Sequence, residues 1–159
     1  YLEGNINNAI AQKLQQQWAK AGIRLELDPQ SYEKISTETV PRRNFELLLF
    51  EIENTPDPDK YNLWHSTKSE YPGLNLSGYS YERSDILLER ARTETDKQLR
   101  NDDYLLFQKY ITQELPALYL FHPNYTFFAH DSIRGIELSG AVLPHHRYQN
   151  VEEWYIERN

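Results

Sequence analysis

Four carboxylates crowd one short stretch of the chain: Glu51, Glu53, Asp57 and Asp59. Glu51 and Glu53, two residues apart, would share one face of a strand. Paired acids of that kind suit a glycosidase-like hydrolase, one as proton donor and the other as base or nucleophile. The plainer reading is local: Glu51 lies at a strand end, Asp57 caps a helix that Pro58 opens, and Asp59 favours that helix's N-terminal dipole. The five histidines offer no metal chemistry by spacing. His145 and His146 are adjacent and point to opposite sides of an extended chain, while His65, His122 and His130 lack the i, i+4 or i, i+3 partners of a helical site. There is no G-x-S-x-G, no P-loop and no G-x-G-x-x-G, so covalent and phosphoryl-transfer chemistry have no motif to stand on. No metal and no cofactor is expected.

These acids sit at the end of Phe45–Ile52, a run apolar on both alternating faces, as expected of a strand covered on both sides. Pro56 and Pro58 end it, because neither can donate to a ladder. A buried strand that runs into a polar loop and a helix start is where open α/β sheets place ligands. The elements around it follow the same logic. Ile6, Ile10, Leu14, Trp18 and Ala21 predict a helix from Asn5 to a stop at Gly22, and Ile23, Leu25 and Leu27 a strand with one polar face. Ser31 caps a helix to about Val40, so that the strand at Phe45 should pair in parallel after a right-handed crossover. A short helical segment is expected over 59–65 and a helix from Ser80 to Thr93 burying Ile86, Leu87 and Ala91. A long helix should start at the capping box Thr95-Asp96-Lys97-Gln98 and end near Leu115, with Leu99, Leu106, Phe107, Tyr110 and Ile111 on its apolar face. Ala117–Phe121 and Thr126–Ala129 read as strands, and Asn150 as the cap of a last helical turn near Trp154.

Bulk composition narrows the class. The chain has 159 residues, with a net charge of -7 and no basic stripe, so nucleic acid and anionic membrane surfaces are poor partners. The mean hydropathy of -0.78 looks low for a packed domain. The 12 Tyr, 6 Phe and 3 Trp offset it, since aromatics bury large areas per residue. Zero Cys excludes disulfides and a thiolate nucleophile, and the opening on Tyr1 with no Met anywhere leads us to expect a piece of a longer chain. Tyr61, Trp64, Tyr71, Tyr79 and Tyr81 cluster just after the acidic loop. Aromatics serve core packing before anything else, yet an aromatic-rich loop beside a polar strand end is also what a small-molecule or peptide cleft uses.

The order of motifs resembles a known family. It runs from Gln12-x-Leu14 through Ala21-Gly22-Ile23-x-Leu25-x-Leu27 to Asn44–Phe50, Thr55-Pro56-Asp57-Pro58-Asp59, Trp64-His65-Ser66 and Gly73–Tyr79. Asp85–Glu89 with Ala91-Arg92, Asp96-x-x-x-Arg100 and Glu114-x-Pro116-Ala117-x-Tyr119-Leu120 follow. Together these are similar to the C-terminal lobe of the family 5 extracellular solute-binding proteins, the peptide, nickel and opine receptors of ABC importers.

The resemblance implies an α/β class: a periplasmic-binding-protein-like lobe, an open mixed sheet flanked by helices, present in part. It implies a division into residues 1–135, the C-terminal ligand-binding lobe with its first strand missing or truncated, and residues 136–159, a segment that crosses back to the other lobe. The cargo would be an oligopeptide, with a sugar or other small solute as the alternative. Glu51, Glu53, Asn54 and Thr55, with Trp64 and Asn75 from the following loops, would form one wall of a cleft that the N-terminal lobe of the same parent chain shuts. The family's carboxylate for a peptide's α-amino group falls at Asn54, or at Glu53 if the loop is shifted by one, and an amide there offers no full charge to an ammonium. Expected partners are the solute and an ABC permease, with no nucleic acid, in an extracytoplasmic setting: the periplasm or the outer face of the cytoplasmic membrane. The expected role is non-catalytic; the rival is the carboxylate-dependent hydrolase built on Glu51 and Glu53.

Overall fold

Helix α1 (Asn5–Lys20) forms where Ile10, Leu14 and Trp18 recur at helical spacing. It stops at Gly22, whose φ of +82° lets the N–H groups of Ala21, Gly22 and Ile23 turn back onto the carbonyls of Trp18 and Ala19. The computed structural model describes residues 5–52, 55–124, 126–138 and 143–157. The chain divides into two units, Tyr1–Glu51 with Asn62–Tyr81, and Ile52–Tyr61 with Glu82–Asn159.

In the first unit Ser31 opens α2 (Tyr32–Lys34) as expected, its hydroxyl accepting from the Lys34 N–H at 3.2 Å. The helix then widens into a π-turn over Ile35–Thr39 before Pro41. Arg43, at φ +51°, sends its guanidinium to the carbonyls of Val40 (3.0 Å), Ser69 (3.0 Å) and Gly73 (2.6 Å). One side chain thus ties the end of that helix to the loop beyond. Gly73 is needed there, because a Cβ would run into the Lys68 carbonyl. The short helix α3 is Tyr61–Trp64, and a 3-10 turn Ser66–Lys68 follows it.

The second unit is built on a helix pair. Helix α4 (Glu82–Thr93) buries Ser84, Leu87, Leu88 and Ala91, an i, i+3, i+4, i+7 stripe that packs on α5 (Lys97–Glu114). From α5 come Asp103, Tyr104, Phe107 and Ile111. Asp103 is the charged member of this core, and Arg90 grips it with both arms of its guanidinium, Nε lying 2.7 Å from Oδ2. The N-cap of α5 is Asp96 and not the Thr95 of the expected box; its Oδ1 accepts from the Gln98 and Leu99 N–H groups. Leu115, in left-handed geometry, ends the helix. The buried stripe is narrower than expected. Ile86, Leu99 and Leu106 point away from the partner helix and remain exposed. Near the C-terminus, β1 (Ile133–Arg134) pairs antiparallel with β2 (Tyr155–Ile156), and 3-10 turns Pro144–Tyr148 and Val151–Glu153 lie between them. Asn150 precedes the last turn, yet its amide serves a wider purpose: it donates to the Gly135 carbonyl at 2.7 Å and accepts from the Trp154 indole at 3.1 Å.

The strand expectations fail among the described residues. Residues 23–28, 45–52, 117–121 and 126–129 run without ladder partners, so the expected parallel pair is absent there and the sheet among the described residues is the small β1–β2 pair. Leu47 is 63% exposed and Phe121 61%, where a covered strand would bury both. Alternation in sequence reports which faces are apolar; a strand also needs a neighbouring strand to pair with, and among the described residues these segments form no ladder. The helix expected to open at Asp57-Pro58 begins instead at Tyr61, and the one expected at Ser80 begins at Glu82. Among the described residues no helix is long and apolar enough to cross a membrane.

Leu88 is fully buried between α4 and α5, so Leu88→Ala should cost about 2–5 kcal/mol of unfolding free energy, read by chemical denaturation. Ile86→Ala on the exposed side of the same helix should cost well under that.

Candidate functional site

In Thr55-Pro56-Asp57-Pro58-Asp59 two prolines remove two backbone donors, and the aspartates make turns with what is left. Asp57 Oδ1 accepts from the Asp59 N–H at 2.8 Å, and Asp59 Oδ1 accepts from the Tyr61 N–H at 2.9 Å. The Thr55 hydroxyl donates to the Asp57 carbonyl at 2.9 Å. Each aspartate is then matched by an arginine from the helix pair. Arg100 Nη2 lies 2.8 Å from Asp57 Oδ1, and Arg92 Nε 3.1 Å from Asp59 Oδ2. Both arginines also face a ring, Arg92 over Tyr61 at 4.5 Å and Arg100 over Tyr104 at 5.1 Å. Arg100 donates in addition to the Ala91 carbonyl at 2.9 Å, the C-terminal turn of α4.

The electrostatics follow from those contacts. The Asp59 N–H and the Arg100 guanidinium hold the Asp57 carboxyl below its ordinary 3.8, while burial pushes the Tyr104 hydroxyl up. A carboxylate kept ionised in this way is a fixed negative charge and a poor proton shuttle near neutral pH. Glu51, Thr55, Pro56, Asp57 and Pro58 are each exposed.

Trp64 and Asn75 meet in the first unit, and both are buried. Asn75 Nδ2 donates to the carbonyls of Tyr79 (2.7 Å) and His65 (3.2 Å), with Trp64 O at 3.5 Å, and Oδ1 accepts from the Tyr79 N–H at 3.1 Å and the Ser77 hydroxyl at 3.2 Å. The Trp64 and Tyr79 rings pack edge to face with their centroids 6.3 Å apart. One side chain therefore closes the 64–79 loop on itself. Of the residues expected at the site, Glu51 lies in the first unit with Trp64 and Asn75, Thr55 lies in the second, and Glu53 and Asn54 fall outside the described residues. Sequence reasoning missed Arg92 and Arg100 as partners of the acidic loop. The spacing Asp96-x-x-x-Arg100 was visible, but a contact between residues 43 apart leaves no local trace. Among the described residues no cluster of three or more His, Asp or Glu side chains could hold a metal ion.

No protein-family model matches the chain. Its fold is that of part of a solute-binding protein. The likeness is to the oligopeptide-binding protein AppA of Bacillus subtilis, 22% identical over 156 residues that cover 97% of this chain and 28% of that protein. The solved structure of AppA in complex with a nonapeptide superposes with a TM-score of 0.76 at 22% identity, over 98% of this chain and 30% of that one. The chain thus spans less than a third of the protein it matches, and the likeness runs along nearly the whole of this chain.

Asn75→Ala leaves buried carbonyls and an amide without partners, and should lower stability by at least about 2 kcal/mol in denaturant titration. The Asp57 carboxyl, followed by NMR, should titrate below 3.8 and move upward in Arg100→Gln. Because the folded value is the depressed one, the stability Asp57 contributes is present above its unfolded value and lost as pH falls through the folded one.

Proposed function

We propose that this chain is the ligand-binding part of an extracytoplasmic substrate-binding protein of an ABC importer, that it takes oligopeptides, and that it holds its cargo without transforming it. The observation that carries this reading is the likeness along 97% of the chain to an oligopeptide-binding protein. Residues 1–135 supply one lobe and residues 136–159 the segment that crosses back to an N-terminal lobe of the same parent chain. The stretch Glu51, Glu53, Asn54 and Thr55 carries the cargo contacts, and the exposure of Glu51 and Thr55 supports that assignment. Trp64 and Asn75 serve by fixing the 64–79 loop from inside its own unit. The parent chain works at the periplasmic or outer face of the cytoplasmic membrane and hands its cargo to a permease.

The family's carboxylate falls at Asn54, or at Glu53 if the loop is shifted by one; with Asn54 there, the amide offers no full charge to a peptide's amino terminus. The hydrolase reading of Glu51 and Glu53 draws no support from either comparison. A single lobe offers only one wall, and loses the area that the second would bury.

The intact parent protein and the 159-residue chain, titrated with the same nonapeptide pool in a calorimeter, should differ in affinity by at least about tenfold in favour of the parent; equal affinity would rule out a two-lobe clamp. Asn54→Asp in the parent should tighten binding of free-amino peptides roughly tenfold while leaving N-acetylated ones unchanged. No difference between the two peptide types would mean that position 54 does not meet the amino terminus.

A further inference from the structure

We infer that Arg92 of α4 and Arg100 of α5, neither of them among the proposed cargo contacts, are positioning residues that set the conformation of the 55–61 loop and thereby the affinity for cargo. This rests on the reading of that loop as part of the cargo wall. The path is continuous and lies within one unit. The Thr55 hydroxyl bonds to the Asp57 carbonyl, Asp57 pairs with Arg100, and Arg100 is itself fixed by the Ala91 carbonyl and the Tyr104 ring. Asp59, one turn on, pairs with Arg92, which lies over Tyr61 at the loop's other end. The loop is gripped at both aspartates by side chains of a helix pair whose core is packed without it.

Magnitudes separate positioning from plain stabilisation. The Asp57 side chain is 60% exposed and that of Arg100 28%, and ion pairs in such settings add little to global stability. What they restrict is a segment with two prolines and no regular hydrogen bonding of its own. Loss of an arginine should therefore leave the melting temperature nearly unchanged and loosen the loop. A group held in place before binding has less freedom to lose on binding, so the loosened loop should bind more weakly. Lysine keeps the charge at position 100 but cannot fork to Ala91 and Asp57 together, and should recover only part of the effect.

The test uses the intact parent protein, unmutated and as Arg100→Ala, Arg100→Lys and Arg92→Ala/Arg100→Ala. Three quantities are measured: melting temperature, amide hydrogen exchange at Asp59 and Tyr61 without ligand, and affinity for a fluorescein-labelled nonapeptide pool. The expected result for Arg100→Ala is faster exchange at both amides, affinity lower by about 3- to 30-fold, and little change in melting temperature, with the lysine variant intermediate and the double variant further still. Unchanged exchange overturns the anchoring. Faster exchange with unchanged affinity overturns the coupling to cargo and leaves the binding role intact. If the unmutated protein binds none of the pool, the binding role itself fails and the coupling falls with it, while the exchange data still decide whether the arginines hold the loop.

Discussion

The packing of α4 on α5 is the constraint on which the second unit depends. Leu87, Leu88 and Ala91 meet Tyr104, Phe107 and Ile111 along a stripe of helical period, and the Arg90–Asp103 pair satisfies the one carboxylate drawn into that core. With the two helices fixed in register, Arg92 near the end of one and Arg100 near the start of the other stand where the acidic loop can reach both. In the first unit the corresponding part is played by a single amide. Asn75 bonds to two stretches of backbone, at 64–65 and at Tyr79, and Arg43 secures the same loop from the helical side. Among the described residues neither unit relies on an extended sheet. Irregular segments are held by polar side chains aimed at main-chain groups, which is how loops keep one shape without ladder hydrogen bonds.

Much of this was legible in the sequence where the signal is local. The Gly22 stop, the Ser31 cap and the span of the long helix are each decided by residues within a few positions of one another. The displaced start of α5 shows the limit of such reading, because Thr95 and Asp96 are both good caps and the charged one, favoured by the helix dipole, won. The strands were legible only as apolar patterns. Phe45–Ile52 has the composition of a covered strand, but pairing is a property of two segments, and the second cannot be read from the first. The same holds for 117–121.

The site divides along the same line. The acidic loop announced itself through its prolines and aspartates, and the aspartates do make the local turns that such residues favour. Their second role, as partners of arginines on the helix pair, is non-local and was not foreseeable from spacing. Asn75 carries the opposite lesson. A polar residue in a Gly- and Ser-containing loop reads as a surface contact, yet here it is the buried hub of its unit. Polarity alone does not separate a group that meets solvent from one that replaces solvent for the backbone.

The bare apolar rows have a practical corollary. Leu47, Leu49 and Phe50 in one unit, and Leu118, Tyr119, Leu120 and Phe121 in the other, stand exposed along chain whose backbone groups have no ladder partners among the described residues. Extended, sticky segments of this kind are templates for intermolecular strand addition. Self-association through these rows is the failure to guard against when the polypeptide is handled alone at high concentration, and a soluble fusion or a charged substitution at Leu47 or Tyr119 is the rational remedy.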